Sequence, residues 1–137
     1  MLFKDCLCFS LGKVSREMTK HYRAKLDNYR LTQPQFFLLI ALYEDDNILI
    51  SRLAEKVALD KATLTGILDR LERDGYVKRV YGKKDRRSVA IKLTEKAIGL
   101  KDELKRIYNE TNNYFLSKLT ENEYNVFQSI ISKLEKI

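Results

Sequence analysis

The sequence is poor in the residues from which metal sites and many active sites are built. Among 137 residues there are one histidine, two cysteines, one proline, five glycines and no tryptophan. One histidine and two cysteines cannot complete an ordinary structural zinc site, and no metal or cofactor is expected. His21 reads as a partly exposed helix residue rather than a base or a ligand. No glycine-rich phosphate loop, nucleophile elbow or catalytic-carboxylate motif appears, so the chain is not read as an enzyme. So little proline and glycine leaves no room for a flexible linker. With no internal repeat or low-complexity stretch, the chain reads as a single domain over 1–137. No apolar run approaches the roughly 20 residues that span a membrane, and Lys4 and Asp5 interrupt the apolar start, against a signal peptide. The expected location is the cytoplasm.

What the sequence does hold is positive charge gathered in one place. The whole chain carries +7. Between Arg70 and Lys92 lie nine basic residues and three acidic ones, Glu72, Asp74 and Asp85, which leaves +6 within that stretch. Charge concentrated this way is the footprint of a polyanion-binding surface.

The stretch overlaps a helix of unusual character. In Lys61–Arg73, KATLTGILDRLER, residues Leu64, Ile67, Leu68 and Leu71 recur at helical spacing and form a buried stripe. The opposite face carries Ala62, Gly66, Asp69 and Arg73, with Thr63, Thr65 and Arg70 at its margins. Small residues let a partner's backbone come close, while hydroxyls and a guanidinium suit phosphates and base edges. Upstream, Ser51–Val57 reads as a short helix capped by Ser51, Ala58-Leu59 as a turn, and Asp60 as the cap of the next helix. Two short helices with a tight turn between them make a helix-turn-helix. Downstream, Gly75 stops the helix, Tyr76–Tyr81 and the alternating Ser88–Leu93 read as strands, and Gly82–Arg87 is the turn of a hairpin wing.

The flanking segments are helical. The first helix is expected from about Phe3 to Asn28, with an apolar stripe of Leu7, Leu11, Val14, Met18 and Tyr22. Thr32 and Gln35 form a capping box, with Pro34 in the first turn, before the nearly continuous apolar run Phe36–Tyr43. Asp45–Asn47 is a turn, and Ile48–Ile50 is placed to add a short strand to the wing. Thr94 caps a long helix reaching to about Lys118. Thr120 and Glu123 form a second capping box before a last helix whose stripe is Tyr124, Phe127, Ile130 or Ile131, Leu134 and Ile137. These terminal helices carry more apolar surface than one small wing domain covers, so a partner chain is expected against them. The fold class is mainly α with a small β-wing (α+β), the winged helix-turn-helix lobe occupying about 48–94 and dimerisation helices 1–30 and 95–137.

The run from Leu53 to Thr94, LAEKVALDKATLTGILDRLERDGYVKRVYGKKDRRSVAIKLT, resembles the winged helix-turn-helix core of the MarR family of transcriptional regulators. Its most specific part is Asp85-Arg86-Arg87-Ser88 followed by the strand and Leu93-Thr94. Leu31–Leu42, LTQPQFFLLIAL, resembles the family's second helix, so the resemblance covers most of the chain. It implies a homodimer joined through the first and last helices and bound to double-stranded DNA. A twofold dimer prefers an inverted repeat with half-sites about one helical turn, roughly 10 bp, apart.

Within that frame Thr63, Thr65 and Arg70 are assigned to the major groove, with Arg70 the base reader, and Lys61 to a phosphate. On the wing, Arg87 is the candidate for minor-groove insertion, steadied by Asp85, while Lys83, Lys84 and Arg86 supply phosphate charge. Gly66 stands where many family members carry a larger, often basic residue. The function so implied is that of a sequence-specific regulator, a dimeric repressor. The rival readings are a nonspecific nucleoid-type DNA-binding protein and an adaptor that reuses the fold; the basic wing argues against the adaptor.

The first helix carries a second resemblance. Leu7-Cys8-Phe9-Ser10-Leu11, with Arg16 and Tyr22, is similar to the single-cysteine, peroxide-sensing branch, which includes organic-hydroperoxide repressors and staphylococcal redox regulators. It implies that an oxidant acts at Cys8 and that the DNA-binding lobes then shift. Tyr22 of one subunit is placed to approach Cys8 of the other. Gly12 and Gln33 stand where the branch often has tyrosines. Cys6 lies roughly across the helix from Cys8, so the two are not expected to bridge within a subunit. The alternative effector is a small aromatic ligand between dimer and wing lobes, lined by Met18, Tyr22, Phe36 and Tyr43; plain core packing is the competing reading of those four.

Overall fold

A computed structural model describes residues 1–136. Ile137, expected in the last apolar stripe, lies outside them. In chain order the elements are α1 (Leu7–Leu26), α2 (Gln33–Glu44), β1 (Ile48–Leu49), α3 (Ile50–Val57), α4 (Lys61–Arg73), β2 (Val77–Tyr81), β3 (Val89–Leu93), α5 (Glu95–Gly99), α6 (Lys101–Leu116) and α7 (Glu121–Leu134). The three strands form one antiparallel sheet in the order β1-β3-β2.

The molecule is assembled around α2. Its start is a reciprocal capping box: the Thr32 N–H donates to Gln35 Oε1 at 2.9 Å and the Gln35 N–H to Thr32 Oγ1 at 3.3 Å. Beyond this cap the helix is apolar on nearly every side, and it buries Phe36, Leu38, Leu39, Ile40, Leu42 and Tyr43. Helices α1, α3, α4 and α6 and strand β3 all pack against it. The Tyr43 hydroxyl donates to the Ala97 carbonyl at 2.6 Å. Burial pushes this phenol up to about 12, so it remains a donor throughout the neutral range.

Several boundaries differ from the sequence reading, each for a local reason. Helix α1 is shorter than expected because both ends tighten into 3-10 turns, Phe3–Asp5 and Asp27–Tyr29. Ser51 does not cap α3. The paired strand β1 runs straight into the helix, so the extended N-cap residue is Leu49 and Ser51 falls inside the first turn. The expected single helix after Thr94 is two. Gly99 is a poor helix former, and the Leu100 N–H bonds back to Ala97 and Ile98, tightening the chain into a joint between α5 and α6.

Helix α7 is the exception to the packing. It has its capping box, with the Thr120 N–H donating to Glu123 Oε2 at 2.8 Å, yet it buries no residue. Tyr124, Val126, Phe127 and Ile130 on α7 are exposed, as are Leu7, Phe9, Leu11 and Val14 on the first half of α1. No helix among the described residues is long and apolar enough to cross a membrane.

Candidate nucleic-acid interface

The turn between α3 and α4 fixes how α4 is presented. Ala58 adopts the left-handed conformation, φ 53°, and the Leu59 N–H reaches back to the Ala54 carbonyl at 3.1 Å, closing α3. Asp60 then caps α4. Its carboxylate accepts from the Thr63 N–H at 2.8 Å and from the Thr63 hydroxyl at 2.7 Å, which hold the carboxyl below its ordinary range. Leu64, Leu68 and Leu71 are buried, leaving Lys61, Ala62, Thr63, Gly66 and Arg70 on the outside, with Thr65 half-buried. A Cβ added to Gly66 would meet nothing within 4 Å. The outer face is therefore open to close approach.

The Asp60 bond limits what Thr63 can do. A hydroxyl has one proton, and here Asp60 takes it. In this arrangement Thr63 offers a partner its lone pairs and its methyl group, which suits a base edge better than a phosphate oxygen.

The wing is joined to α4 by a cluster that the sequence reading did not anticipate. Arg79 on β2 is one of the nine basic residues between Arg70 and Lys92, but its side chain is only 14% exposed. It donates to Asp69 Oδ1 at 2.7 Å and to Glu72 Oε1 at 2.8 Å, and its own backbone N–H donates to Glu72 Oε2 at 3.0 Å. One guanidinium thus bridges two successive carboxylates on α4, using the fork geometry that lysine lacks. Arg79 is neutralised and sets the angle between helix and hairpin. The spacing of Asp69 and Glu72 at i, i+3 was the available signal.

The hairpin is in regular register, from Val77 opposite Leu93 to Tyr81 opposite Val89. Its tip is closed by the Gly82 N–H donating to the Ser88 carbonyl at 2.8 Å and the Ser88 N–H to the Asp85 carbonyl at 3.1 Å. Glycine is required at position 82, because a Cβ there would lie 2.5 Å from the Asp85 carbonyl oxygen. Asp85 does steady Arg87, through the backbone: its carboxylate accepts the Arg87 N–H at 3.0 Å. The guanidinium stays available. Among the described residues, Lys61, Arg70, Lys83, Lys84, Arg86 and Arg87 form no ion pair. They are six exposed, uncommitted cations on α4 and the wing tip.

The redox and ligand candidates do not form one site within the chain. Cys8 is exposed, Cys6 is half-buried, and both are free thiols. Tyr22 lies fourteen residues along α1 from Cys8, about 21 Å at helical rise. It is buried against Phe36 and Phe37, with ring centroids 5.7 and 5.2 Å away. Phe36 and Tyr43 are core residues too. Of the four residues expected to line a ligand pocket, only Met18 borders a cleft, an open one of about 410 Å³ shared with Val14, His21 and Phe115. His21 packs on the rings of Tyr114 and Phe115.

A helix-turn-helix followed by a charged antiparallel hairpin defines a winged helix-turn-helix protein. The MarR family model matches residues 31–89. The "Organic hydroperoxide resistance transcriptional regulator" of Bacillus subtilis is 40% identical over 102 residues, covering 74% of this chain and 69% of the relative. The "HTH-type transcriptional regulator SarZ" of Staphylococcus haemolyticus is 39% identical over 104 residues, covering 76% and 71%. The chain belongs to the MarR family and is a transcriptional regulator of that type. Among solved structures, overoxidized AbfR bound to DNA superposes with a TM-score of 0.80 at 28% identity, covering 95% of this chain and 90% of the other. The S. aureus MepR–DNA complex, at 24% identity, shares the fold with a TM-score of 0.87 over 96% and 97%.

Arg79→Ala should loosen the wing. Asp69 and Glu72 are left without their shared cation, so the amides of β2 and β3 should exchange faster while global stability falls by only about 1 kcal/mol. Hydrogen exchange read residue by residue checks this, and unchanged protection of the hairpin would remove Arg79 from that role.

Proposed function

We propose that this protein is a dimeric repressor that binds an inverted repeat in double-stranded DNA and is released when Cys8 is oxidised. The observation that carries the DNA-binding reading is the six uncommitted cations on α4 and the wing tip, held in one frame by Arg79. Lys61 lies at the positive end of α4, where a phosphate is favoured. Arg70 projects from the outer face and is the base reader, with Thr63 and Thr65 beside it in the major groove. Arg87, its backbone fixed by Asp85, enters the minor groove, while Lys83, Lys84 and Arg86 neutralise phosphates. AbfR, solved bound to DNA in reduced and overoxidized forms, supports the same reading for this fold.

The second subunit is argued from α7. A fourteen-residue helix that buries nothing, with an apolar stripe facing solvent, is stable only when another surface covers it. The exposed apolar residues on the first half of α1 are the matching surface, and a twofold exchange covers both at once. The 1–30 and 95–137 segments are then the dimerisation arms. The working location is the cytoplasm.

Cys8 supplies the switch. Its thiolate attacks the distal oxygen of an organic hydroperoxide, the O–O bond breaks, and the leaving alkoxide takes a proton from water, giving a cysteine sulfenic acid, an alcohol and hydroxide. The thiol is exposed between Leu7 and Phe9, inside the apolar surface assigned to the dimer. A polar, oxidised sulfur there disturbs packing that both lobes depend on. The relative from B. subtilis, a regulator of organic hydroperoxide resistance, supports this effector class. A small aromatic effector is the second reading, and the cleft beside Met18 is where it would sit.

Fluorescence anisotropy on duplex DNA from the gene's own upstream region tests these roles. Arg70→Ala and Arg87→Ala should each weaken binding by about 1–3 kcal/mol, and Arg70→Ala should also narrow the preference over random duplex. Wild-type affinity in both variants at moderate salt would overturn the contact assignment. Stoichiometric organic hydroperoxide should release the wild type and leave Cys8→Ser bound. Release of both, or of neither, would exclude Cys8 as the switch. Removal of residues 121–137 should give monomers or aggregates in sedimentation velocity, and a wild-type-sized dimer would overturn the role of α7.

A further inference from the structure

The wing carries one large side chain that neither the core nor the charge pattern uses. Tyr81 ends β2 and is 60% exposed. Side chains alternate along a strand, so Val77, Arg79 and Tyr81 share a face. Val77 is buried, and Arg79 reaches across to Asp69 and Glu72 on α4. Tyr81 therefore projects from the side of the hairpin that looks toward the recognition helix, about 6.6 Å beyond Arg79 in the direction of the tip. Its ring borders an open recess of about 620 Å³, shared with Gly82, Lys83 and Arg86.

The chemistry around this recess is one-sided. Among the described residues the Tyr81 hydroxyl has no hydrogen-bond partner in the protein, and Lys83 and Arg86 form no ion pair. The nearby Asp85 carboxylate accepts from the Arg87 backbone. The position is also well held: Gly82 follows directly, tied to Ser88 at 2.8 Å and unable to carry a side chain beneath the Asp85 carbonyl. A hydroxyl donor and two cations around one opening, whose lining includes no acidic side chain, suit an anionic oxygen on an extended polymer.

We propose that Tyr81 is a DNA-contact residue whose hydroxyl donates to a backbone phosphate of the strand passing between α4 and the wing. Lys83 and Arg86 flank the same phosphate run. The inference rests on the DNA-binding reading above and adds a contact that carries no charge.

That neutrality makes it separable. Binding of wild type, Tyr81→Phe and Lys83→Ala is measured by anisotropy on the upstream duplex and on a random duplex, across a range of salt concentrations. Tyr81→Phe should lose about tenfold in affinity on both duplexes with the salt slope unchanged, because a lost hydrogen bond to a charged group releases no counterion. Lys83→Ala should reduce the slope by about one per subunit. Wild-type affinity in Tyr81→Phe would overturn the proposal while leaving the DNA-binding reading intact. A loss confined to the upstream duplex would overturn it as well, since the ring would then be reading bases. Failure of the wild type to bind either duplex would instead bring down the DNA-binding reading itself.

Discussion

Everything in this molecule is arranged by the need to bury α2. From Phe36 to Tyr43 the helix has almost no polar face, so it cannot lie at a surface and must be surrounded. Helices α1 and α6 cover it, and so do α3, α4 and β3. The helix-turn-helix and the terminal arms are thereby packed on a common core rather than joined by a linker. The hydrogen bond from Tyr43 to the Ala97 carbonyl ties α2 to α5 where the wing ends and the C-terminal arm begins. Helices α1 and α4 thus share α2 as a common support.

On the side formed by α4 and the wing the decisive feature is how charge is divided. Arg79 is spent on structure and bridges Asp69 and Glu72, while Lys83, Lys84, Arg86 and Arg87 remain solvated at the tip. Without such a bridge the two acidic residues of α4 would repel a phosphate backbone approaching the helix. The bridge offsets one of those two charges and ties the wing to α4 at once. The wing tip is held by backbone bonds and by the Asp85 carboxylate on the Arg87 N–H, which leaves the side chains of its cations uncommitted.

The parts of this architecture that were readable from sequence are those fixed by neighbours three or four residues apart. Asp60, Thr94 and Thr120 cap their helices as their spacing suggests, and the Thr32–Gln35 box forms. Of the stripe Leu64, Ile67, Leu68 and Leu71, helical periodicity buries the three leucines and leaves Ile67 half-buried at its edge. Ser51 misled because the cap position was decided by strand pairing with β3, a contact some forty residues away in the chain. The Arg79 cluster was hidden for the same reason: a count of charges carries no information on which of them meet after folding. Of the two readings that the sequence leaves open for Tyr22, Phe36 and Tyr43, core packing holds; an amphipathic side chain has the same sequence signature in a core as in a cleft. The bonds between near neighbours and the strand pairings of the wing, Ile48–Leu49 included, are legible along the chain, whereas the side chains that meet between elements, as Arg79 meets Asp69 and Glu72, are not.

The bare α7 helix bears on how such a regulator responds to its own abundance. In the dimer proposed above, a protomer whose last helix gains its packing from a second copy would couple folding, assembly and operator occupancy in one equilibrium. At low copy number the active form then scales with the square of protomer concentration rather than in proportion to it. A modest fall in synthesis would empty the operator disproportionately, giving the cell a dosage-dependent control that is independent of any oxidant.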